Sequence, residues 1–173
     1  LGSGYGPVTI ALAKLYPQAQ VTGVEINERA YQLALSNSQL NRVENTAYQL
    51  ADAGQWQASQ APDFVVTNPP IRAGKQVIQQ FVRSAQANLR PGGELWLVIQ
   101  KKQGAPSMET FMEEVFGNCE ILKKDKGYYT VIRGLIQQED ITILNIHAPN
   151  TSALRFIKQI LLDLRRDREQ YNN

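Results

Sequence analysis

The tripeptide Asn68-Pro69-Pro70 bears most directly on chemistry in this sequence. An exocyclic amine of a nucleobase is a poor nucleophile because its lone pair is delocalised into the ring. An Asn side-chain oxygen and the carbonyl of the following Pro can each accept one amine N–H. Together they draw the nitrogen toward tetrahedral geometry and aim its lone pair at an incoming methyl group. The prolines hold that carbonyl rigid. No general base is required, since the charged product nitrogen sheds its proton to water. The plainer alternative is a strand stop followed by a turn, for which Asn-Pro is a common choice.

Upstream stand Gly2, Gly4 and Gly6, then Glu25, then Asp52. Glycines let the backbone approach a ligand closely, and a helix N-terminus behind them offers free N–H groups to a polar or anionic group. A carboxylate one strand later accepts two ribose hydroxyls. The set suits a nucleoside-containing cofactor. A nicotinamide cofactor would require G-x-G-x-x-G, and Pro7 occupies the third glycine position, so that pattern fails.

The elements that must carry these residues follow from periodicity. Val8, Ile10, Leu12 and Leu15 predict a helix after the glycines that stops at Pro17. Residues 20–26 predict a short buried strand ending in an acid, and 27–40 a helix capped by Asn27, with Ala30, Leu33, Ala34 and Leu40 on one face. A weak strand over 48–51 ends at Asp52, and 63–68 is a β-branched strand halted by two prolines. An amphipathic helix over 74–89, the apolar run ELWLVIQ, a helix over 107–116 and two strands around Lys126-Gly127 complete the pattern. Strands alternating with helices predict an α/β fold: a Rossmann-like, doubly wound, mostly parallel sheet with an antiparallel C-terminal hairpin. Ligands in such sheets bind beyond the carboxyl ends of the strands, where the glycines, Glu25, Asp52 and Asn68 all fall. The glycine turn opens the chain at Leu1 without a strand to turn away from, so the reading is of a domain lacking its first, central strand.

Length and composition agree. The 173 residues fit one domain, and 43% hydrophobic with 20% charged residues supply a core and exclude disorder. No stretch approaches the roughly 20 apolar residues of a membrane span, and no secretory signal opens the chain. A single cysteine, Cys119, reads as a small buried hydrophobe in a reducing, intracellular setting. The net charge of +2 is too mild to argue nucleic-acid binding by itself. Trp96 lies within an apolar strand and reads as core. Arg72, Lys75, Lys101 and Lys102 leave two readings open, an RNA-facing cluster or four solvated cations.

The G-x-G-x-G spacing resembles S-adenosylmethionine-dependent methyltransferases. Residues 1–133 more narrowly resemble the 16S ribosomal RNA guanine-N2 methyltransferase family, through LGSGYG, VEIN, NPPIRAGK, LRPGGELWLVIQKKQGAPS and FGNCEILKKDKGYY. The resemblance implies that Gly2, Gly4 and Gly6 contact S-adenosylmethionine, that Glu25 holds its ribose and Asp52 its adenine, and that Asn68, Pro69 and Pro70 hold the target amine, with Asn68 also beside the cofactor. It implies ribosomal RNA or an assembling small subunit as partner, no metal, and a cytoplasmic setting. Ile71, Arg72 and Lys75 would meet the substrate. Ile71 stands where many amino-methyltransferases carry an aromatic residue to stack a flipped base, so stacking must be weaker or come from elsewhere.

Residues 134–173 form an extension. A second hairpin is expected from Tyr129 to Ile136 and Ile141 to Ile146, followed by a helix from about Thr151. This segment resembles an internal piece of the LINE retrotransposon endonuclease domain, through IQQEDITILNIHAPNT and RFIKQ. By that resemblance His147 replaces an active-site Tyr, Asn150 is retained, and the family's catalytic His and main metal ligands lie outside the piece. Three readings follow: a methyltransferase acting on a guanine amine of ribosomal RNA, an inactive fusion that keeps the fold, and an endonuclease remnant without a complete active site.

Overall fold

The computed structural model describes residues 1–70, 74–125, 128–132 and 143–145. Among these, seven strands form one sheet in the order β2-β1-β7-β3-β4-β6-β5. The strands are β1 (Val21–Glu25), β2 (Thr46–Leu50), β3 (Phe64–Thr67), β4 (Glu94–Gln100), β5 (Glu120–Asp125), β6 (Tyr128–Ile132) and β7 (Ile143–Asn145). The helices are α1 (Pro7–Leu15), α2 (Glu28–Leu40), α3 (Lys75–Asn88) and α4 (Ala105–Phe116). β2, β1, β7, β3 and β4 run parallel, while β6 is antiparallel to both β4 and β5. The expected α/β architecture and its antiparallel hairpin are both present.

The sheet is buried on two faces because β4 alternates. Leu95, Leu97 and Ile99 join Ile78, Phe81 and Val82 of α3 and Met108, Phe111 and Met112 of α4 in one cluster. Trp96 and Val98 face the other way, into a second cluster with Val8, Leu12 and Ala13 of α1. A continuous apolar strand with period-two side chains can fill both layers, which is why ELWLVIQ sits inside a parallel sheet. Trp96 is core, as its setting predicts. Cys119 packs at the edge of the first cluster, and burial, with Glu109 and Glu113 nearby, pushes its thiol up to about 12.

Two expectations need correction. In α2 the buried residues are Ala34 and Ser38, whereas Leu33 is 48% and Leu40 79% exposed. The helix lies too close to the glycine turn for leucines: a Cβ on Gly6 would stand 3.2 Å from the Ala34 Cβ, so the small residues face inward.

The second correction concerns the second hairpin. β6 already pairs with β4 on one side and β5 on the other, so no edge of it is left for a further strand. Ile143–Asn145 instead enters the sheet between β1 and β3, with Leu144 opposite Thr22 on one side and Val65 on the other. Parallel strands there present two facing open edges, and unpaired backbone groups in a buried sheet are costly. Residues 1–3 continue the same lane: the Leu1 nitrogen donates to the Val66 carbonyl at 3.2 Å, and Ser3 N–H to the Val24 carbonyl at 2.8 Å. The central lane expected for a first strand is thus filled by β7 and the opening residues. The rest of the extension, including the expected helix from Thr151, His147 and Asn150, lies outside the described residues.

Candidate active site

The glycine turn leaves the sheet centre at the carboxyl ends of the strands. Gly2, Gly4 and Gly6 have φ of 71°, 55° and 87°, a region that side-chain-bearing residues rarely adopt, so the turn requires glycine. Gly6 then caps α1, whose first residue is Pro7. Beneath the turn a residue that the sequence did not single out acts as a wedge. The Tyr48 ring lies 2.5 Å from where a Cβ on Gly23 would be, and its hydroxyl 2.6 Å from that of Gly6. That hydroxyl shares a hydrogen bond with Ser38 Oγ at 2.9 Å. Burial raises the phenol, so Tyr48 stays neutral here.

Glu25 ends β1 and is 8% exposed. Its Oε2 accepts the Gly4 N–H at 2.7 Å and its Oε1 the Asn27 N–H at 2.9 Å. A carboxylate offers about four acceptor positions. Two are used to lock the turn against the start of α2, which leaves acceptor capacity at the cavity. Asn27 in turn caps α2 by accepting the Ala30 N–H at 3.0 Å.

Asp52 follows β2, where its Oδ1 accepts the Gly54 N–H at 2.8 Å and its Oδ2 the Gln55 side chain at 3.1 Å. The loop beyond is pinned to α3 by Asn88, whose amide donates to the Trp56 carbonyl at 2.8 Å. Asp52 is therefore set by local turn chemistry, and the loop that follows it is tied to the opposite helix.

Gly2, Gly4, Glu25, Asp52 and Pro70 line one cavity of about 550 Å³. Of the other expected site residues, Gly6 caps the helix behind it and Asn68 directly follows β3, two residues before Pro70; Gly6, Asn68 and Pro69 are not among the residues that line the cavity. Asn68 is 6% exposed, and its carboxamide has no hydrogen-bond partner among the described residues. The carboxamide is not among the fully buried unpaired polar atoms, so its free donor and acceptor positions stay open to a ligand or to water. Lys75 stands exposed at the start of α3, and Lys101 and Lys102 are exposed just after β4. Because Thr67 is opposite Leu97, the segments after β3 and β4 leave the sheet at the same edge. Ile71 and Arg72 lie outside the described residues.

The cavity is completed by Ile26, Ala53, Val77 and Phe81, which give it apolar walls, and by Gln80. Helical periodicity assigns Val77 and Phe81 to the core; their second role at the cavity wall has no separate sequence signal. The arrangement is two carboxylates lining one cavity with apolar walls, fronted by a glycine turn. It fits a flat, amine-bearing heterocycle joined to a dihydroxylated sugar. Among the described residues no cluster of His, Cys, Asp and Glu has the makings of a metal site, and no helix is long and apolar enough to cross a membrane.

Comparison with known proteins places this geometry in context. Residues 1–133 match the family model described as the methyltransferase small domain. The uncharacterized protein YbxB of Bacillus subtilis is 38% identical over 132 residues, covering 76% of this chain and 66% of that protein. The ribosomal RNA small subunit methyltransferase C of Hahella chejuensis is 36% identical over 104 residues, 58% of this chain and 30% of that one. Among solved structures, the T. thermophilus 16S rRNA N2 G1207 methyltransferase, in complex with AdoMet and guanosine, superposes with a TM-score of 0.67 at 32% identity. It is matched over 78% of this chain and 36% of its own. The chain spans between about a third and two thirds of the length of these relatives.

Proposed function

The chain belongs to the methyltransferase small domain family, and from that premise we propose that it transfers a methyl group from S-adenosylmethionine to an exocyclic amine of ribosomal RNA, the guanine N2. The observation that carries the reading is Asn68: a largely buried residue whose carboxamide has no partner among the described residues, placed directly after β3 and two residues before the cavity wall at Pro70.

The residues present fit the cofactor. Gly2 and Gly4 bring bare backbone to the cavity, Glu25 retains acceptor capacity for a ribose, and Asp52 with the apolar walls suits an adenine. When bound, S-adenosylmethionine supplies an electrophilic methyl on a sulfonium. Asn68 and the Pro69 carbonyl then accept the two N–H groups of the target amine, hold its nitrogen at the mouth of the cavity and localise its lone pair. Water takes the proton afterwards. Lys75, Lys101 and Lys102 offer cations to the phosphates flanking the target nucleotide at the end of the sheet where the segments after β3 and β4 leave it. The partner is ribosomal RNA or an assembling small subunit, and the setting cytoplasmic.

Nucleoside analysis of the RNA product tests the assignment. Small-subunit RNA lacking modification, incubated with the protein and S-adenosylmethionine carrying a labelled methyl, should yield label in N2-methylguanosine. Label in N6-methyladenosine, or in protein instead of RNA, would overturn it.

A further inference from the structure

Gly54, two residues after Asp52, is not one of the positive-φ glycines, so its lack of a side chain needs another reason. A Cβ there would stand 3.3 Å from Asp52 Oδ1, 3.1 Å from Gln80 Cβ and 3.4 Å from Gln80 Oε1. The glycine is the gap across which an acid from the β2 loop and a carboxamide from α3 come together. Both line the cavity, and both stand beside its apolar walls at Ala53, Val77 and Phe81. Asp52 has used one lone pair on each oxygen for its own turn, while no hydrogen bond among the described residues engages the Gln80 carboxamide.

Adenine offers a donor, the exocyclic amine, flanked by an acceptor nitrogen on either side, N1 on one edge and N7 on the other. A carboxylate next to a carboxamide is the matching pair, since the acid accepts from the amine and the amide N–H₂ donates to a ring nitrogen. Hypoxanthine carries an acceptor where adenine carries the amine, and Asp52 would repel it. We propose that Gln80 is a second adenine-reading residue, donating to the ring nitrogen beside the amine that Asp52 accepts, so that the two together select adenine in the cofactor. The proposal rests on the cofactor reading given above and adds to it a residue that the glycine, acid and Asn-Pro-Pro motifs do not include.

Isothermal titration of S-adenosylhomocysteine and of its 1-deaza and 7-deaza analogues into the wild-type chain and into Gln80→Leu tests it without turnover. Gln80 is exposed on α3, so the variant should keep the wild-type melting curve. The wild type is expected to bind one of the two analogues about three- to tenfold more weakly than the parent, the size of one net hydrogen bond. Gln80→Leu should lose a similar factor against the parent and bind that analogue no worse than the parent. A variant that binds the parent like wild type, or that still discriminates between parent and analogue as wild type does, overturns the role of Gln80 while leaving the cofactor reading standing. Absence of binding to the wild type overturns both.

Discussion

Replacing Asn68 with Ala should lower the rate of methyl transfer in single-turnover assays by about 10²–10³-fold, the usual cost of removing one preorganised polar group that acts on the reacting centre. The structure makes this a clean experiment. Asn68 is largely buried, yet its carboxamide supports no hydrogen bond among the described residues, so its loss breaks none of their bonds. The melting temperature should therefore move little. Cofactor affinity should fall far less than the rate, because the turn locked by Glu25 stays intact. Asn68→Asp keeps an acceptor oxygen in place and should retain more activity than the alanine. A rate for Asn68→Ala within tenfold of wild type would show that the amine is held by other groups.

The second large effect lies in the sheet. Leu144→Pro should lower the melting temperature by roughly 3–10 °C, since a proline in a central strand removes a ladder donor and leaves its partner carbonyl buried and unpaired. β7 pairs on both sides, with β1 and with β3, and the glycine turn departs from the same lane through Leu1 and Ser3. Loosening the strand should consequently weaken cofactor binding as well. Leu122→Pro supplies the comparison: it falls at the register irregularity of β5, the last strand of the sheet among the described residues, where proline is tolerated. Equal melting curves for Leu144→Pro and wild type would mean that Ile143–Asn145 does not hold the sheet centre in solution.

How much of this was legible in the sequence depends on whether the determinant is local. The helix cap at Asn27, the apolar run in Glu94–Gln100 and the acid ending Val21–Glu25 are decided within a few residues, and the structure places them where the sequence pattern predicts. Glu25, Asp52 and the glycines could be assigned to one site because parallel strands end on one side, a rule of topology rather than of any single residue. The exposed Leu33 and Leu40 could not be foreseen, because which face of α2 turns inward is set by how closely the glycine turn approaches Ala34. Tyr48 and Gln80 escaped for the same reason: each acts on a glycine far away in sequence, Gly6 or Gly54. The seat of Ile143–Asn145 depends on open backbone edges of β1 and β3, which leave no mark in the residues of β7 itself.

Titration of S-adenosylmethionine into the wild-type chain and into Glu25→Gln tests the central claim, that the cavity framed by the glycine turn, Glu25 and Asp52 is the cofactor site. Glu25 is the residue to change because it both ties Gly4 and Asn27 and retains the acceptor positions assigned to ribose. The account predicts saturable binding at one site in the wild type and an affinity about ten- to a hundredfold lower in the variant, the range for a charged hydrogen-bonding group. Equal affinity in the two proteins, or no binding to a folded wild type, would contradict it.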